Sequence, residues 1–255
     1  MTIDVQALFE RELAQRGFGF KEEDPLTYRV RLARGDVLVS LANLRRDVER
    51  DADPHAVGRF VDTVVGTLSV ERPGWDGASN LLFWAAEAAE LDRTDCISED
   101  LTRETCRVLT LTDESRSLVT WVTSSMCDEW GVRVDEAKAV ASRNQDTLLA
   151  GLSLETAETA GERLGMVPVD SAYKASVIFA PSFRQFVEPH LGWPVLVVLP
   201  CRDFIYIVPD SSPLVAKLGA VVVREFLSSG YPISTEVLRI SDHGLEALGK
   251  FPVPT

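Results

Sequence analysis

The chain is poor in histidine and has no paired-cysteine motif and no glycine-rich phosphate cradle. Each shortage removes a class of chemistry. Its three histidines, His55, His190 and His243, stand far apart and form no HxH, HExxH or HxxxH pattern, so no metal site is legible. Cys96, Cys106, Cys127 and Cys201 lack CxxC spacing. That excludes a zinc knuckle and points to reduced, mostly buried thiols, although the even count leaves disulfides open. Neither GxGxxG nor GxxxxGKS/T occurs, so a nucleotide has no recognisable cradle, and GxSxG is missing too. No cofactor is expected.

Long apolar runs are also absent: nothing approaches the roughly 20 residues that cross a bilayer. Residues 1–12 carry acidic and polar groups where a secretory signal would carry a basic head and an apolar stretch, which leads to the expectation of a cytoplasmic protein. Positive charge is in short supply, with 26 basic against 39 acidic residues and a formal net charge of -13. Such a balance repels a phosphate backbone and an anionic membrane, so neither nucleic acid nor membrane is an expected partner. Solubility alone explains the charge; a protein partner with a basic surface is the functional alternative.

What is present is enough apolar material, 45% of the chain, to pack one large domain or two modest ones. Val5, Leu8, Phe9 and Leu13 share a helical face over residues 3–16, with Gly17 and Gly19 as the stop. Alternation over 28–41, broken at Arg34 and Gly35, reads as a hairpin. Asp53 and Pro54 then open a helix carrying Val57, Phe60, Val61, Val64, Val65 and Leu68. The turn residues from Pro73 to Gly77 divide a helix-hairpin-helix lobe, 1–72, from an α+β lobe, 73–255, unless the two form one continuous domain.

Beyond that division the pattern predicts strands over 81–86 and 117–122, a helix over 134–149, and two helices over 171–179 and 182–191 parted at Pro181. The apolar runs 195–199 and 204–208 flank a short loop, which implies antiparallel strands covered on both faces. Leu214 to Phe226 make an amphipathic helix, and 235–240 a final strand. Gly161-Glu162-Arg163-Leu164-Gly165 reads as a turn. The expected class is α+β, with mixed or antiparallel sheet elements packed against several amphipathic helices.

One trio has the residue types for covalent catalysis: Cys201 as nucleophile, His190 as base and Asp203 to orient it. Against it, Cys201 sits in a hairpin loop with no helix N-terminus behind it, and His190 lies beside Pro189 at a helix end, where it can simply cap. Asp170 and Ser171 read as helix caps, with Lys174 pairing a nearby carboxylate. The five tryptophans, Trp75, Trp84, Trp121, Trp130 and Trp193, mark either core or a ligand groove.

Leu41-Ala42-Asn43-Leu44-Arg45-Arg46, the helix Asp170-Ser171-Ala172-Tyr173-Lys174-Ala175-Ser176, the Pro200 to Val208 hairpin and Gly230-Tyr231-Pro232-Ile233-Ser234 together resemble the YtpQ-like bacterial family of unknown function. The resemblance is dense in the C-terminal third and loose over 76–165. It implies a cytoplasmic bacterial α+β protein and assigns no catalytic role. The resulting expectation is a non-enzymatic protein-interaction or regulatory module. The alternatives are a cysteine-dependent hydrolase or transferase using Cys201, and a small-ligand binding protein with Trp84, Trp121 or the hairpin loop lining a pocket. A homodimer through apolar helix faces is left open.

Overall fold

A computed structural model describes residues 3–32, 35–41, 44–45, 48, 53, 55–69, 73–91, 93, 95–113, 119–159, 161–169 and 171–254. Arg34, Pro54, Asp170 and the first residues of the expected 117–122 strand lie outside that set. The chain forms two compact units, Met1–Arg72 and Pro73–Thr255.

In the first unit, helix α1 (Val5–Gln15) starts where the Asp4 carboxylate accepts the amide of Ala7 at 3.1 Å. It stops in a double turn: Phe18 N donates to Leu13 O and Gly17 N to Ala14 O, both at 3.0 Å, with Gly17 at φ +78°. Its Val5, Phe9 and Leu13 stripe is buried against Val57, Val61 and Val64 of α2 (Ala56–Ser69) and against Tyr28, Val30 and Val39 of a sheet. That sheet is an antiparallel meander of β1 (Gly19–Asp24), β2 (Thr27–Leu32) and β3 (Gly35–Ser40). The expected hairpin is therefore two-thirds of the sheet. Its missing strand, Gly-Phe-Lys-Glu-Glu-Asp, is an edge with no apolar alternation to betray it.

The second unit holds two antiparallel sheets. A short helix α3 (Trp75–Ala78) leads into β4 (Leu82–Ala88), which pairs with β6 (Thr105–Thr112); β5 (Ser98–Asp100) and β7 (Val119–Trp121) also pair with β6. Helices α4 (Ser124–Trp130) and α5 (Val134–Leu149) pack against this sheet, burying Trp84, Leu109, Val140 and Ala141 together. The larger sheet has the order β13-β12-β10-β11-β9-β8. Its strands are β8 (Glu155–Thr159), β9 (Glu162–Met166), β10 (Val195–Cys201), β11 (Phe204–Pro209), β12 (Glu236–Ser241) and β13 (Gly244–Lys250). Helices α6 (Phe183–Leu191) and α7 (Gly219–Ser228) complete the unit. The chain is an α+β protein.

Strand β10 explains its own hydrophobicity. Val195, Val197 and Leu199 enter one core with Phe183, Val187 and Leu191 of α6, while Leu196 and Val198 enter another with Val222 of α7. Successive side chains alternate faces, and both faces are covered. Each such aliphatic burial stabilises by roughly 1.5–3 kcal/mol.

Three expectations are corrected. Of the five residues read as a turn, Gly161 takes one, at φ +80°, and Glu162 to Gly165 belong to β9. Gly165 is a packing glycine: a Cβ there would meet Leu191 Cδ1 at 2.8 Å and Leu154 Cδ2 at 3.1 Å. The expected helix over 171–179 is a 3-10 turn over Ala175–Phe179, because the Ser171 hydroxyl accepts the Tyr173 amide at 3.2 Å and closes a separate turn first. The strand after Ser234 is not the last, since the chain doubles back as β13, whose exposed residues carry no two-residue period.

Candidate functional site

The outer edge of β4 is sealed by side chains. Gln145 Oε1 accepts Trp84 N at 3.2 Å, Ser176 Oγ accepts Ala86 N at 2.9 Å, and Asn144 Nδ2 donates to Leu82 O at 2.9 Å. Gln145 is fully buried and also donates to Ser176 O at 2.7 Å. These groups supply the partners that a further strand would, so the edge offers nothing to another chain.

Further along the same strand Glu87, 3% exposed, meets Arg202 of the β10–β11 connection: Arg202 Nη2 donates to Glu87 Oε1 at 2.6 Å. The guanidinium also stacks on Tyr231 at 4.1 Å from the ring centroid. Burial works against the charged form of Arg202, but the Glu87 carboxylate together with Tyr231 and Tyr173 outweighs it and raises the pKa. The buried Arg202 Nε has no acceptor among the described residues. Next to this pair Thr110 Oγ1 lies 2.8 Å from its acceptor Phe83 O and shares a 3.0 Å hydrogen bond with the hydroxyl of the fully buried Tyr173. Burial raises the Tyr173 pKa.

This same end of the unit carries a cleft of about 430 Å³, lined by Leu101 to Glu104 of the β5–β6 turn, Glu236 of β12 and Ala247 to Lys250 of β13. Two carboxylates stand in it. Glu104 pairs with Lys250 and accepts from Ser234 Oγ at 3.4 Å. Glu236, 5% exposed, accepts from Thr102 Oγ1 at 2.5 Å and Thr105 Oγ1 at 2.9 Å. Thr102 Oγ1 in turn accepts the backbone amides of Thr105 at 3.0 Å and Glu104 at 3.3 Å, which fixes its orientation.

Of the trio singled out in the sequence, the β10–β11 turn brings Asp203 beside Cys201, but His190 is not brought to them. Cys201 ends β10 and is buried; burial raises its pKa against the opposing Asp203 amide and Ser229 hydroxyl, and the Asp203 charge raises it further. That is the reverse of an activated nucleophile. His190 lies at the opposite end of β10. Its carbonyl accepts Arg163 Nη1 at 3.0 Å, and the β9–β11 and β10–β11 registers set Arg163 level with Val195. Six strand steps of about 3.3 Å then separate that level from Cys201, roughly 20 Å.

The tryptophans divide as well. Trp84 is core at 1% exposure, its indole donating to Ser142 Oγ at 3.2 Å under the Arg107 guanidinium, and Trp121 is half-buried opposite Thr110. His55 and His243 are exposed, and among the described residues no cluster of His, Cys, Asp or Glu could hold a metal. No described helix is long and apolar enough to cross a membrane.

Sequence reasoning missed Glu236, Thr102 and Thr105, which are joined across 134 and 131 positions with no local signal. Comparison with known proteins adds no relative: no family model, no curated protein and no solved structure matches the chain.

Proposed function

We propose that the chain is a non-enzymatic interaction module that engages a protein partner with a basic surface along β13. The observation that carries this reading is an open edge of the larger sheet. β13 is one of the sheet's two terminal strands, β8 being the other; it is exposed along most of its length, borders the cleft as β8 does not, and bulges there at Leu248, which is 55% exposed. An unpaired strand with one apolar side chain displayed next to a pocket is the arrangement used in strand addition. The net charge of -13 supports a basic partner over an acidic one.

The buried, raised-pKa thiol of Cys201 and the remote His190 weigh against the hydrolase or transferase alternative, and the core position of Trp84 against an apolar ligand pocket there. The resemblance to the YtpQ-like family adds a bacterial, cytoplasmic setting to this proposal and no reaction.

The test is affinity capture with the wild-type chain and Leu248→Asp, followed by titration with the purified partner at low and moderate salt. The expected result is saturable binding that weakens with salt and is lost in the variant. Absence of any saturable partner, with turnover of a small molecule instead, overturns the proposal.

A further inference from the structure

Glu236 is buried, yet it forms part of the wall of an open cleft. Both hydrogen bonds to its carboxylate arrive on one oxygen, Oε2. A carboxylate has about four acceptor positions on its two oxygens. Oε1 therefore keeps its own, and it receives no hydrogen bond from any described residue.

The nearest candidate cation is committed elsewhere. Lys250 stands directly across the ladder from Glu236, but its Nζ is tied to Glu104 Oε1. Arg103 is exposed at the turn and makes no ion pair among the described residues. The structure thus holds a carboxylate away from solvent, fixes it with two threonine hydroxyls, that of Thr102 itself locked by two backbone amides, and gives it no counter-charge. Burying a charge in that way is costly unless something pairs with it.

We propose that this cleft receives the ammonium or guanidinium head of a lysine or arginine on an extended partner segment, with Glu236 as its counter-charge. The inference rests on the interaction-module reading and identifies the pocket that gives that interface its selectivity. A segment laid along β13 turns every second side chain to the same face. The methylene stem of one such lysine or arginine would cover Leu248, while its head reaches Oε1. The Lys250–Glu104 pair beside it limits the cleft to a single added cation.

The probe is a capped peptide of alternating valine and lysine, with its Nε-acetylated form and free butylammonium for comparison. All three are titrated into the full chain and into Glu236→Gln, with the methyl signals of Thr102 and Leu248 followed by NMR. The glutamine keeps the shape and the acceptor oxygen, and a thermal melt confirms that the variant is folded.

The expected result is that the charged peptide shifts the Thr102 and Leu248 methyls and that either acetylation or Glu236→Gln weakens it by about tenfold or more. Equal binding of charged and acetylated peptides, or of wild type and Glu236→Gln, overturns the proposal. Butylammonium binding as tightly as the peptide overturns the assignment to a protein segment. If a natural partner binds wild type and Glu236→Gln alike, the cation pocket falls while the interaction module stands. If the peptide binds through Glu236 but no natural partner is found, the module reading falls and the pocket stands.

Discussion

Arg202 and Glu87 are 115 positions apart in the chain and 2.6 Å apart in the fold. They tie the hairpin of the larger sheet to an edge strand of the smaller one. Removing one member of a buried pair strands the other charge, which commonly costs about 3–5 kcal/mol. Arg202→Met and Glu87→Gln should each lower stability toward the low end of that range, since Arg202 retains 16% exposure. The double variant should recover part of the loss, and urea denaturation of all four proteins gives the coupling directly.

Gln145→Leu should be costly for a different reason. It keeps the volume but leaves the Trp84 amide buried without a partner and takes the side-chain donor away from the Ser176 carbonyl. A buried amide stranded in this way costs about 1–3 kcal/mol. A denaturation midpoint within error of the wild type would show that other groups satisfy this edge.

Alkaline pH should weaken the fold through Cys106. Burial pushes this thiol from 9.0 up to about 11, partly opposed by the charge of Arg93. The folded state holds its proton more tightly than the unfolded chain, so the contribution is complete below pH 9 and is lost as pH rises toward about 11. The drop should be about 3 kcal/mol at most. Denaturation series across this range, with Cys106→Ala as the flattened control, measure it. Iodoacetamide at pH below this window should label Cys106 and Cys201 only after unfolding.

Gly161, just before β9, and Gly165, within it, should differ on substitution. Gly165→Ala forces a methyl against Leu191, Leu154 and Ile207 and should cost about 1–3 kcal/mol. Gly161→Ala meets no atom within 4 Å and pays only for its positive φ, about 1 kcal/mol. Thermal melts of the two variants separate packing from backbone strain.

β6, buried along nearly all of its length, does not read as a strand because Thr and Arg interrupt its apolar residues, whereas the unbroken apolar runs on either side of Arg202 and Asp203 lead directly to β10 and β11. The helical stripes of α1, α2 and α5 were legible as well. β1 and β13 were not, because edge strands owe their pairing to backbone hydrogen bonds and display polar or unpatterned side chains. The candidate site was hidden more deeply still. Glu236 and Thr102 are ordinary residues in their local surroundings, and only the packing of the two sheets makes them neighbours. Cys201, His190 and Asp203 attracted notice by residue type alone, and the length of β10 keeps His190 away from the other two.

The amide of Gln145 bridges three pieces of chain at once: its own helix, the edge of β4 and the 3-10 turn at Ser176. None of the three can fray alone without breaking bonds to the other two. Amide protons along this corner, those of Trp84 and Ala86 among them, would then exchange together and at the rate of the slowest opening. The sealed edge of β4 thereby behaves as one cooperative block.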